Sequence, residues 1–205
     1  MDGLGATASG RFEKRFYTPG GVVRDLWDAV VHAHEIRAAT GSDRVDDAFA
    51  KRILLTVTGV NGCRYCSYAH ARTALQAGVG ADEVEWLLDG KLEHVPPEEA
   101  PALFFAQHYA EQDGQVDPEM RQKLVDRYRE EGARDILSYI RMITIGNLSG
   151  NTLDALLSRL KGRPAPGSSF GSELLALLLL FVLFPLVAVG SMVEIGCQAI
   201  VSRWR

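Results

Sequence analysis

Apolar positions in the first 160 residues recur at helical spacing rather than alternating as a half-buried strand would. Val23, Leu26, Trp27 and Val30 form one stripe at three- and four-residue intervals, and Val45, Phe49, Ile53 and Val57 form another. The β-branched run Ile53 to Val60 continues the second stripe in register, which assigns it to a helix. Further helices are predicted over Asp82 to Leu88, Glu99 to Glu111, Pro118 to Glu130, Ala133 to Ile145 and Thr152 to Leu160. The joints between them, such as Gly78-Val79-Gly80 and Val95-Pro96-Pro97, are short and rich in chain breakers. The expectation is an all-α bundle of antiparallel neighbours.

The pattern changes after residue 161. From Leu174 to Val193 no charged residue occurs, and Glu173 and Glu194 bracket the run. At about 1.5 Å rise per residue, a helix of this length reaches across a hydrocarbon core of roughly 30 Å. It shows no amphipathic stripe, and it follows the breaker-rich G-R-P-A-P-G-S-S. The sequence therefore predicts a flexible tail over 1–18, a helical domain over 19–161 and a linker over 162–172. A single-pass transmembrane anchor over 173–195 and a short tail over 196–205 complete the expected organisation. Basic residues flank the span on both sides and do not choose its topology, while the N-terminus lacks the basic and apolar regions of a signal peptide. The expected location is a membrane, with the helical domain facing the cytoplasm.

Composition narrows the function. The 205 residues are 47% hydrophobic, enough for one domain with a real core, and the net charge of −4 with interspersed basic residues gives no footprint for nucleic acid. Three cysteines, Cys63, Cys66 and Cys197, are too few for a disulfide framework and fit a reducing setting. No P-loop or dinucleotide fingerprint occurs, so no nucleotide or flavin cofactor is expected.

The chemistry concentrates in N-G-C-R-Y-C-S-Y-A-H, Asn61 to His70. With Asn61 as a helix N-cap and Gly62 permitting a tight entry, a helix beginning just before Cys63 places positions 63, 66 and 70 on one face. A first-turn thiol meets unpaired backbone N–H groups and the positive end of the helix dipole, which favour the thiolate, and an imidazole one turn on can accept its proton. That is a dithiol redox centre. A zinc site is a competing reading, and it would need a fourth ligand from His32, His34, His94 or His108, none in a paired metal-binding pattern. Two structural cysteines beside a surface histidine are the third. Cys197 reads as a packing residue near the anchor. The stretches T-V-T-G-V-N-G and I-T-I-G-N-L-S-G form a faint internal echo, of which only the first leads into cysteines.

The run K-R-I-L-L-T-V-T-G-V-N-G-C-R-Y-C-S-Y-A-H-A-R-T-A-L-Q-A-G-V-G-A-D-E-V resembles the signature of AhpD-like alkylhydroperoxidases, within the carboxymuconolactone decarboxylase superfamily. The resemblance extends over roughly Val22 to Leu160, with Cys-x-x-Cys-x-x-x-His its specific part. It implies an AhpD-like helical fold, a homo-oligomer built on trimers, and peroxiredoxin-type reduction of hydroperoxides or partner disulfides by a redox-active Cys63–Cys66 pair. It makes Cys66 the attacking thiol, Cys63 the resolving thiol and His70 the proton-transfer residue, with an external dithiol or dihydrolipoyl-type donor restoring the pair. Proximity to the helix start favours Cys63 instead as the more acidic thiol. Two positions depart from the pattern: the relay glutamate twelve residues before the first cysteine is Lys51, and a histidine often found between the cysteines is Tyr65. Lys51 can tune a nearby thiolate by its charge or pair with Asp47 one turn earlier. The sequence thus points to a membrane-tethered thiol oxidoreductase; the alternative is a non-catalytic, membrane-anchored helical scaffold that has lost its proton relay.

Overall fold

The structure is a computed structural model that describes Phe12 and residues 14–185. Among these residues only helices occur: α1 (Pro19–Val31), α2 (Ala33–Thr40), α3 (Asp47–Asn61), α4 (Arg64–Gln76), α5 (Ala81–Leu88), α6 (Ala100–Glu111) and α7 (Pro118–Leu160), followed by α8, described from 170 to 185. The all-α expectation holds, and the β-branched Ile53 to Val60 run is helical within α3.

Local chemistry fixes the helix starts. Thr18 Oγ1 accepts the Gly21 N–H at 3.1 Å with Pro19 in the first turn, and Asp46 Oδ1 accepts the Phe49 N–H at 2.8 Å. The predicted break between Ile145 and Thr152 does not exist, because α7 runs through it as helix. The predicted joint between Glu130 and Ala133 has its counterpart at Arg129, whose φ of 60° and ψ of 170° interrupt α7.

Helix α3 is the axis of the bundle, packed on α4, α5, α6 and α7. The predicted stripe Val45, Phe49, Ile53 and Val57 is buried there against Leu103, Phe105 and Ala106 of α6 and Ile136, Ile140 and Ile143 of α7. The α1 stripe is rotated from its predicted position. Val22 and Leu26 are buried, whereas Val23 and Trp27 face outward. A second apolar cluster joins Val22 and Leu26 to Tyr17, Leu148 of α7, and Ala176 and Leu180 of α8.

That second cluster corrects the membrane reading. The first half of the uncharged run is docked on α1 and α7, and no helix among the described residues is long and apolar enough to cross a membrane. Glu173, expected as a polar flank at a membrane surface, is fully buried; its carboxylate accepts from Arg159 Nε at 2.8 Å and from the Ser168 hydroxyl at 2.5 Å. The linker folds back so that this ion pair staples α8 to the end of α7. Protein side chains, rather than lipid, satisfy this apolar face, and the membrane partner, the membrane location and both membrane-anchored functional readings fall with the span. Residues 186–195 of the expected anchor, and Cys197, lie outside the described residues.

Candidate functional site

The site forms where α3 ends and α4 begins. Asn61 is the last residue of α3 rather than the N-cap of the next helix; Gly62 takes the left-handed conformation at φ 64° and ends α3 by donating its N–H to Thr58 O at 2.9 Å. A side chain at Gly62 would be strained there. Cys63 itself is the N-cap of α4, with its Sγ accepting the Cys66 N–H at 3.4 Å. The helix starts later than the sequence predicts, and the shift gives Cys63 the capping role.

A buried polar layer between α3 and α7 holds this junction. Asn151 Nδ2 lies 2.8 Å from both the Asn61 and Arg15 carbonyl oxygens, to which it donates. The Thr58 hydroxyl donates to Asn147 Oδ1 at 3.2 Å, and Arg15 donates to Asn61 Oδ1 at 3.3 Å and to Ala110 O at 2.8 Å. Gly150, one residue from Asn151, lets α7 reach the sulfur: a Cβ there would lie 2.8 Å from Cys63 Sγ. The second half of the faint repeat thus supplies the wall of the site. Its G-N-L-S-G-N run was visible in the sequence, but without a cysteine or histidine it carried no chemical signal.

The two sulfurs are free thiols 2.9 Å apart, so the redox-active pair that the resemblance implies stands here as a hydrogen-bonded dithiol with no disulfide between them. The Cys66 S–H donates to Cys63 Sγ, and this bond, with the backbone N–H groups of Cys66 and Tyr65 and the charge of Lys14, lowers the Cys63 thiol to about 7 against its own burial. The same bond raises the Cys66 thiol, and burial raises it further. The shared proton therefore sits on Cys66 and the anionic charge on Cys63. Access runs the other way. Cys63 is fully buried, whereas Cys66 is only half-buried.

His70 is half-buried one turn beyond Cys66. Burial first, and the nearby Lys51 charge second, hold its imidazole below the ordinary histidine range, leaving it neutral and able to take a proton at neutral pH. Among the described residues no hydrogen bond ties its ring to either sulfur. Lys51 pairs with Asp47 at 3.2 Å, and its charge acts on His70, while the cation acting on Cys63 is Lys14 from the chain's N-terminal segment. Lys14 also pairs with Asp154 at 3.0 Å, which binds Arg64 in turn. Tyr65 is exposed, with the Arg64 guanidinium 4.8 Å from its ring centroid.

No group of three or more histidine, cysteine or carboxylate side chains is placed to hold a metal ion among the described residues. A cavity of about 520 Å³ opens between α1, α6 and α7, lined by Arg24, Asp28, Phe105, Tyr109 and Arg141; it reaches Arg15 but neither sulfur. No protein-family model, curated protein or solved structure matches the chain.

Proposed function

We propose that the chain is an AhpD-like thiol oxidoreductase that works from its reduced dithiol and acts on hydroperoxides. One observation carries the reading: two thiols 2.9 Å apart at a helix N-terminus, the inner one fully buried and lowered to about 7, the outer one only half-buried. Structural cysteines have no need of this division between charge and access.

The arrangement gives each group a task. The Cys66 proton passes to the Cys63 thiolate across their hydrogen bond, or to the neutral His70, and the Cys66 thiolate attacks the distal peroxide oxygen. The O–O bond breaks, Cys66 becomes a sulfenic acid, and the alkoxide takes a proton from solvent. Cys63 then attacks the Cys66 sulfur, expelling water and closing the disulfide. The two thiols have lost two electrons and the peroxide has gained them. An external dithiol restores the pair by exchange. Burial of Cys63 suits the resolving role, since its target is an adjacent sulfur rather than a molecule from solution.

Steady-state reduction of an alkyl hydroperoxide, with dithiothreitol as donor, tests this. Turnover is expected in the parent and is lost in Cys66→Ser and Cys63→Ser, with Cys66→Ser also losing the first oxidation step. Parent rates no faster than dithiothreitol alone reject the activity.

A further inference from the structure

Residues 14–17 form a short strap held on α7 beside the thiols. The Arg15 carbonyl accepts from Asn151 Nδ2 at 2.8 Å, and the Tyr17 N–H donates to Thr152 Oγ1 at 2.9 Å. The strap carries Lys14 to the start of α4. Its Cγ is 3.6 Å from the point that a Gly62 Cβ would take, so the lysine stem covers the residue before Cys63, and its ammonium ends 3.0 Å from Asp154. Asp154 lies four residues beyond Gly150, on the face of α7 that meets Cys63 Sγ, and it also binds the Arg64 guanidinium. One carboxylate thus seats two cations, leaving a surplus of one positive charge beside the sulfur. The Arg64 guanidinium is raised first by its hydrogen bond to the Tyr65 hydroxyl, and then by the charges of Asp154 and Cys63.

The hydrogen bond from the Cys66 S–H is the largest of the effects that lower Cys63. It is lost in the first step of the reaction, when Cys66 becomes a sulfenic acid. What then still favours the Cys63 thiolate is its N-cap position, with the N–H groups of Cys66 and Tyr65, and the charge of Lys14. That is the moment at which the thiolate is needed.

We propose that Lys14, seated by Asp154, is a positioning residue for the closing step, keeping Cys63 ready to attack the Cys66 sulfenic acid before a second hydroperoxide does. The inference rests on the dithiol reaction given above. Two fates compete for the sulfenic acid. In one, the Cys63 thiolate attacks Cys66 Sγ, the S–O bond breaks, hydroxide leaves and takes up a proton to become water, and the disulfide closes. In the other, Cys66 Sγ takes an oxygen from a second hydroperoxide, whose O–O bond breaks to give an alcohol. Cys66 is then a sulfinic acid, which a dithiol does not reduce. The thiolate fraction of Cys63 sets the share of the first fate, and Lys14 raises that fraction. Lys51 does not stand in for it, since Lys51 pairs with Asp47 and its charge acts on His70.

The test oxidises the reduced full chain with excess alkyl hydroperoxide and uses mass spectrometry to sort the Cys66 peptide into disulfide and sulfinic acid, the latter heavier by about 32 Da. At pH 7, Lys14→Met is expected to raise the sulfinic share about threefold over the parent, and Lys14→Arg to keep the parent share. At pH 9, where Cys63 ionises without help, the excess is expected to vanish. A second reading needs no peroxide. In the Cys66→Ser chain, Lys14→Met is expected to move the Cys63 titration, followed by carbon-13 NMR of labelled cysteine, to higher pH. A Lys14→Met share equal to that of the parent at pH 7, an excess that persists at pH 9, or a titration that does not move overturns the role of Lys14 while leaving the dithiol reaction intact. A parent that forms neither product overturns that reaction, and this role with it.

Discussion

A Cβ placed on Gly150 would come within 2.8 Å of Cys63 Sγ, so α7 meets the N-cap of α4 through a missing methyl group opposite a sulfur. The two residues are far apart in sequence, and neither helix could pack as it does with a side chain between them.

Substituting Gly150→Ala pits two effects against each other. Alanine in a helix interior gains roughly 0.5–1 kcal/mol over glycine, while overpacking a closed contact costs about 1–3 kcal/mol. The second wins here, because the methyl meets both Cys63 Sγ and the Tyr65 ring. The variant is expected to lose about 1 kcal/mol or more in urea denaturation, and its Cys63 thiol to titrate above about 7 as the capping geometry opens. A variant of equal stability with an unchanged titration would show that the contact relaxes without cost.

Asn151 holds the buried Asn61 carbonyl and the part-buried Arg15 carbonyl, and Asn151→Ala removes the donor of both. At about 1–3 kcal/mol for each orphaned group, a loss of several kcal/mol is expected from the shift in urea midpoint. A loss under about 1 kcal/mol would mean that the α3–α4 junction rearranges around the gap.

Lys51 sits where a relay glutamate is expected, and its charge lowers the His70 pKa. Lys51→Ala is expected to raise that pKa, and Lys51→Glu to raise it further, because a carboxylate favours the imidazolium. The sign carries into stability. A histidine depressed on folding takes up protons more readily when unfolded, so the parent loses stability as pH falls through about 6.5, the ordinary unfolded value. Lys51→Glu should soften that loss. Proton NMR titration of His70 in the three proteins gives the answer, and superimposable curves would exclude electrostatic coupling between positions 51 and 70.

Glu99 is raised from 4.5 to about 7 because burial outweighs its partner Arg52. A carboxyl raised on folding stabilises the fold fully below its unfolded pKa, and that contribution fades as pH climbs through the folded value. The parent should therefore lose stability between about pH 4.5 and 7, and Glu99→Gln should flatten this part of the profile. Arg52 keeps Glu83 at 2.7 Å in the variant. Thermal melts at pH 5 and pH 8 measure it, and a parallel fall in both proteins would contradict the assignment.

Helical content was legible because the α3 stripe, Val45 to Val57, has a single period over its whole length. The α1 stripe was misplaced by one position, since Val22 and Val23 are equally apolar and only packing against α7 and α8 chooses between them. The C-terminal run misled for a related reason. An uncharged helix start reads as a membrane span when its receiving surface, Tyr17, Val22, Leu26 and Leu148, is scattered through the sequence. At the site, C-R-Y-C-S-Y-A-H gave the cysteines and histidine their shared helix. Gly150, Asn151 and Lys14 were not readable as site residues, because a wall glycine, a carbonyl-binding amide and a distant lysine carry no chemical pattern until the chain folds.

In the proposed reaction Cys63 and Cys66 act together as one two-electron centre. The most direct measurement is intact and peptide mass spectrometry of the reduced chain after a single equivalent of alkyl hydroperoxide. A two-electron centre loses about 2 Da, located in a disulfide joining Cys63 to Cys66 and reversed by dithiothreitol. An unchanged mass, or a gain of about 16 Da persisting on one cysteine while the other stays free, would contradict it.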